Sequence, residues 1–140
     1  EKFDVVGLAG ATTAKLEPPL LWHVMAKQKD HSGAVAHPLN CCQYIMTNFG
    51  PTPERCLVLD GLFLAVKIDA LKNENIRFDE KIPTIAHFYD IDFCFTANKN
   101  KLKLTTWPIW VIHSSPGLSE QPGPDWHVAQ EYMLKKWRGK

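Results

Sequence analysis

The chain has 140 residues, a formal net charge of +1, and a composition 45% hydrophobic and 22% charged. A chain of that size buries roughly two-thirds of its unfolded surface, and the near-neutral balance removes any electrostatic case for nucleic acid or strongly acidic partners. The longest apolar runs, residues 57–66 and 107–112, are far too short to span a bilayer, and no charged start with an apolar core announces a signal peptide. Cys41 and Cys42 are adjacent while Cys56 and Cys94 sit in apolar runs, so no disulfide framework is expected and a reducing, cytoplasmic setting is.

In chain order, residues 2–10 read as a buried strand built on Val5, Val6, Leu8 and Ala9, with Gly7 and Gly10 leading into a turn. No G-x-G-x-x-G or P-loop pattern follows those glycines. Residues 11–53 read as a long loop, punctuated by Pro18, Pro19, Pro38, Pro51 and Pro53. Trp22 and His23 fall in an apolar patch within it, and His23, His31 and His37 have spacings that fit no metal-ligand rule. Residues 55–66 are strongly apolar but interrupted by Asp60-Gly61. That pair is either a turn, or an aspartate kept in an apolar run by hydrogen bonds or by function. Residues 68–72 read as a short helix and 77–82 as a charged loop.

Residues 87–117 hold the chemistry. Phe88, Ile91 and Phe95 recur at helical spacing, and Leu102 and Leu104 then alternate with Lys101 and Lys103 as in a half-buried strand. After Pro108, residues 109–112 predict a second, more buried strand ending at His113. In layered α/β folds a helix begins, and the next parallel strand ends, at the same edge of the sheet. Asp90 and His113 are therefore expected on one rim. On a helix, Asp90 and Asp92 point about 160° apart. Asp90 faces the sheltered side of Cys94 and Ala97, whereas Asp92 faces Thr96 and Lys99. Partial burial raises a carboxylate's pKa, and the dipole at a helix start opposes that rise. Either aspartate could instead serve as a simple cap. Residues 116–124 read as a surface loop. Residues 126–137 read as an amphipathic helix, with Asp125 as N-cap and a solvated basic end at Lys135, Lys136 and Arg138.

The segments LDGLFLAV (59–66), FDE (78–80), FYDIDF (88–93) and VIHSSPG (111–117) carry a resemblance, with VVGLAG (5–10), the Trp22 segment and KKW (135–137) in support. In order and spacing the chain resembles the later half of a bacterial glycosyltransferase-like family related to the inverting family-2 enzymes of GT-A fold. The resemblance implies an α/β fold, a partial GT-A-like one with a mixed sheet and flanking helices. Residues 1–140 would then be a single domain, the C-terminal and acceptor-side half. It implies transfer of a sugar from a nucleotide-sugar donor to an acceptor hydroxyl with inversion.

Such a transfer needs a base for the hydroxyl proton and a counterweight to charge on the departing diphosphate. Asp90 matches the acid these enzymes use as base, in a motif usually written Glu-Asp, with Tyr89 standing in the glutamate's place. His113 matches a late histidine that joins the metal, and Trp22 would offer a sugar-stacking platform or else pin its loop as a core residue. Asp60, Gly61, Asp92 and Ser115 are expected to bind substrate. Asp90-Ile91-Asp92 opens a helix instead of following a strand, so it is not the metal-binding D-x-D. A divalent metal, Mn²⁺ or Mg²⁺, is thus expected only with a D-x-D half that this sequence lacks. The rival class is a non-catalytic module binding a glycan or a partner chain, and a small Asp/His metallohydrolase is a third reading. With a donor half missing, strands at 5–9 and 62–66 would lie open without charge or proline to blunt them, so a homo-oligomer is expected.

Overall fold

The computed structural model describes residues 3–73, 75–84, 87–115 and 123–139. Residues 5–11 are one apolar run but form two strands, β1 (Val5–Gly7) and β2 (Ala9–Ala11), which belong to different sheets. The chain bends between them at Leu8, which is buried. Gly33 fills the space beside that bend at φ 103°, and a Cβ there would overlap the Leu8 carbonyl. Only glycine adopts such a backbone without strain.

The segment expected as loop between residues 11 and 53 instead contains a long hairpin, β3 (His31–Asn40) and β4 (Gln43–Gly50). Pro38 is accommodated because the pairing shifts register between Pro38 and Asn40, at a bulge where no ladder N–H is required. The apolar run at 55–66 breaks into β5 (Arg55–Cys56), β6 (Val58–Leu59) and β7 (Leu64–Val66), the last two separated by the Asp60-Gly61 turn. A short helix, α1 (Ile68–Leu71), follows, then α2 (Tyr89–Lys99), β8 (Leu104–Thr106) and α3 (Pro124–Trp137).

One sheet runs β5-β8-β1-β7, with β1 parallel to β8 and antiparallel to β7; the other runs β4-β3-β2-β6 and is antiparallel throughout. This is the mixed α/β architecture with flanking helices that the sequence led us to expect, consistent with part of a glycosyltransferase-type fold. Three details differ. First, β1 and β2 are each paired on both sides, so residues 5–9 present no open edge, whereas β7 does lie at an edge. Second, residues 109–112 are not a buried strand. Pro108 has no N–H to offer a ladder, Trp110 is 83% exposed, and a single parallel bridge joins Ile112 to Ala36. Third, α3 is capped by Gly123 with Pro124 at its first turn, and Asp125 lies inside that turn. Residues 116–122 of the expected surface loop lie outside the described residues.

Helix α2 sits between two apolar clusters. Phe93, Cys94 and Ala97 join Val5, Leu59 and Leu104 in one, while Phe88 and Ile91 meet Leu20, Trp126 and Met133 in the other. Buried on so many sides, α2 is not the one-faced helix its spacing implied. Its Asp92 is 0% exposed because α3 covers that face. The Asp92 Oδ1 accepts from Lys136 Nζ at 2.7 Å and from Trp137 Nε1 at 2.8 Å, and Oδ2 has no hydrogen-bond partner among the described residues. Lys136 Nζ also meets Asp79 Oδ2 at 2.6 Å, and the Tyr132 hydroxyl donates to that same oxygen at 2.7 Å. Lys136 at the basic end of α3 is therefore a clamp, while Lys135 and Arg138 remain exposed as expected. Burial raises the Asp79 pKa, but the Lys136, Lys81 and Tyr132 hydrogen bonds outweigh it and bring the carboxyl down to about 2.

Removing the cation from this clamp leaves a buried aspartate uncompensated. Lys136→Met should cost about 3–5 kcal/mol in urea unfolding, and adding Asp92→Asn should recover a good part of that loss. A single-variant cost below about 1 kcal/mol, the size of a surface pair, would contradict the clamp.

Candidate active site

The Asp60-Gly61 turn is where the chain assembles its polar groups. The Asp60 N–H donates to the Ala9 carbonyl at 2.8 Å, tying the turn to β2. Its carboxylate takes the Trp22 indole N–H on Oδ2 at 2.6 Å and the Leu62 N–H on Oδ1 at 2.9 Å. Next along, the Gly61 N–H donates to Asp90 Oδ2 at 2.9 Å, and the Tyr89 hydroxyl donates to the Gly61 carbonyl at 3.2 Å. A Cβ on Gly61 would stand 2.7 Å from two carbons of the Tyr89 ring, so only glycine lets the ring lie there.

Helix α2 delivers Asp90 to this turn. It starts abruptly from Phe88, a non-glycine residue at φ 68°. Such a conformation costs roughly 1–2 kcal/mol. The Phe88 ring, 4.6 Å centroid to centroid from Trp126, is packed tightly enough to hold it. Asp90 therefore falls in the first helical turn, and its Oδ1 accepts the Ile91 N–H at 2.9 Å. Burial first, and the charge of Asp60 second, push the Asp90 carboxyl up from 3.8 to about 6, against the pull of its N–H donors. Burial likewise lifts the Tyr89 phenol, with both aspartates adding to it.

These groups line a cavity of about 500 Å³. Trp22, Asp60, Asp90, His113 and Ser115, far apart in the chain, all reach it. Gly61 contributes its backbone just behind Asp90, and Asp92 does not line it, being turned beneath α3. Trp22 is only 6% exposed, with His23, His31 and Phe49 packed edge-on around its ring. It pins its loop to Asp60 and presents no open face for stacking on a sugar.

His113 arrives by an unexpected route. Ala36 accepts the His113 N–H at 2.8 Å and donates to the Val111 carbonyl at 3.1 Å, which draws residues 111–113 alongside β3. His37, next to Ala36, then places its ring 5.7 Å from that of His113. His23 and His87 also face the cavity, both with pKa lowered by burial, an effect that Asp60 partly offsets at His23. His37 and His87 carried no signal in isolation. Only the hairpin and the start of α2 bring them here. Among the described residues no three His, Cys, Asp or Glu side chains converge to hold a metal ion, so these donors do not by themselves fit a divalent-metal centre.

Residues 1–136 match the model of the glycosyltransferase-like family. The chain belongs to that family. Its function is accordingly of glycosyltransferase type in general terms, with sugars as substrates. Comparison with curated proteins finds no match. No helix among the described residues is long and apolar enough to cross a membrane.

The environment of Asp90 has a direct readout. In ¹³C NMR its carboxyl should titrate near pH 6, and Asp60→Asn should lower that midpoint by removing the neighbouring charge. Because the folded value lies above the unfolded one, the stability from the protonated carboxyl is complete below about pH 4 and is lost as pH rises through about 6. A midpoint near 4 in the folded protein would show that the carboxyl is solvated.

Proposed function

We propose that the cavity binds the acceptor of an inverting sugar transfer from a nucleotide-sugar donor, with Asp90 as the general base. The observation that carries this is a carboxyl at a helix start on a cavity wall, tuned to about 6. A base works best with a pKa near the operating pH: at neutral pH this one is mostly ionised yet basic enough to draw a hydroxyl proton. Its two oxygens each accept one backbone N–H, which fixes the carboxylate plane and leaves lone pairs for the acceptor hydroxyl.

The reaction follows from that placement. The acceptor O–H proton passes to an Asp90 oxygen as the acceptor oxygen bonds to the anomeric carbon, and the bond from that carbon to the nucleotide diphosphate breaks on the opposite face. Asp60, with both oxygens engaged by Trp22 and Leu62, holds the turn that orients Asp90. His113 and Ser115 line the wall where substrate hydroxyls would be hydrogen-bonded. A divalent metal beside the diphosphate would need donors beyond the described residues.

Asp90→Asn in the intact protein should lower turnover by about 10²- to 10⁴-fold, the usual loss with a general base, while the circular dichroism spectrum stays unchanged. In the unaltered protein the acidic limb of the kcat/KM profile should have an apparent pKa near 6. Retention of more than about a tenth of turnover would remove Asp90 from this role. Glycan binding without any turnover would favour a binding module instead.

A further inference from the structure

A second reactive feature lies far along the β3–β4 hairpin, at its turn. Asn40 pairs with Gln43 across the strands, which leaves Cys41 and Cys42 as the two central residues. The turn is held by the Cys42 N–H donating to Asn40 Oδ1 at 3.0 Å and by Asn40 Nδ2 donating to Gln43 Oε1 at 2.6 Å. Both cysteines are exposed, and their sulfurs lie 3.5 Å apart. We propose that Cys41 and Cys42 form a two-sulfur chelating site for soft, thiophilic centres, of which uncharged trivalent arsenicals are the class that fits.

The bite of the pair is the first argument. With sulfur–ligand bonds of about 2.3 Å, as in thiolate–metal bonds, a sulfur separation of 3.5 Å closes an angle of about 100° at the bound atom. That suits a pyramidal trivalent centre and asks for little movement of either side chain. A disulfide between the same residues fits less well. Neighbouring Cα atoms across a trans peptide are about 3.8 Å apart, below the roughly 4.4–6.8 Å that disulfides span.

The surroundings are the second argument. Residues 38–47 carry no charged side chain, so the arm offers no carboxylate to draw a hydrated cation and no ammonium to draw an anion. The remaining thiols do not compete. Cys56 and Cys94 are buried, and burial pushes the Cys56 thiol up to about 11 and the Cys94 thiol higher still. The chemistry balances without an oxidant. Two arsenic–sulfur bonds form, the arsenic–oxygen bond of an aryl arsenoxide breaks, and both thiol protons leave with that oxygen as one water. Arsenic stays trivalent.

Phenylarsine oxide added to the folded, reduced chain tests this by intact mass and peptide mapping. The expected product is one adduct per chain, heavier by the arsenoxide less one water. It should map to residues 41–42, survive excess monothiol and be released by a 1,2-dithiol. Cys41→Ser and Cys42→Ser should each weaken binding by about 10²-fold or more, because the second bond gains its strength from being intramolecular. Both changes fall on exposed turn positions, and an unchanged circular dichroism spectrum certifies the fold. The absence of an adduct on the unaltered chain would overturn the proposal, as would an adduct mapping to Cys56 or Cys94 or full-strength binding by either serine variant.

Discussion

The polar half of this molecule depends on a single dipeptide turn. Asp60 and Gly61 offer little surface, yet one backbone bond to β2 and hydrogen bonds with Trp22, Leu62, Tyr89 and Asp90 all converge on them. Hydrogen bonds to charged groups are worth about 1.5–3 kcal/mol each and neutral ones about 1 kcal/mol, so the turn contributes to stability as well as to direction. It makes the loop at Trp22, the end of β6 and the start of α2 rigid with respect to one another. The Asp90 carboxyl thereby gains fixed donors and a fixed neighbouring charge.

Asp90 and Asp92, both in the first turn of α2, could have been exchanged on composition alone, and the structure separates them by what packs over each. Asp90 meets backbone donors and a like charge, and is held as a weak acid at a cavity wall. Asp92, two residues on, meets Lys136 and Trp137 and becomes the anchor of α3. In helix α2 a 200° rotation decides which carboxylate stays available to chemistry and which becomes structure. The anchor serves the site as well, because the other end of α3 carries Trp126, which packs on Phe88 at the strained entry to α2.

Much of this was readable beforehand, and the failures have physical causes. The helix carrying Asp90 and the terminal helix followed from hydrophobic period, whereas Asp90 and His113 share a cavity through the bridge to Ala36 and not through the expected strand. The hairpin at residues 31–50 was hidden by Pro38 and by a Ser-Gly pair, since a bulge lets a strand keep residues that local rules count as breakers. Residues 109–112 misled in the opposite way: an apolar run looked like a buried strand, but tertiary pairing stopped at one bridge and left Trp110 outside. The histidine pair at His37 and His113 was beyond reach, because its members meet only through that bridge. Sequence alone sets Asp92 on the side of Thr96 and Lys99 and among the substrate-binding residues, because no feature of its own segment announces the arrival of α3.

The run from Val5 to Ala11 has one more consequence. Because β1 and β2 are one stretch of chain bent at Leu8, each sheet has at its interior a strand covalently continuous with the interior strand of the other. Peeling either sheet apart pulls on the same few peptide units, and Gly33 locks the bend from the side. A disturbance of one layer therefore reaches the other through this bend. Val5 and Leu104 of one sheet also share an apolar cluster with Ala9, Val35 and Leu59 of the other, so amide protons on either side of Leu8 are expected to open together.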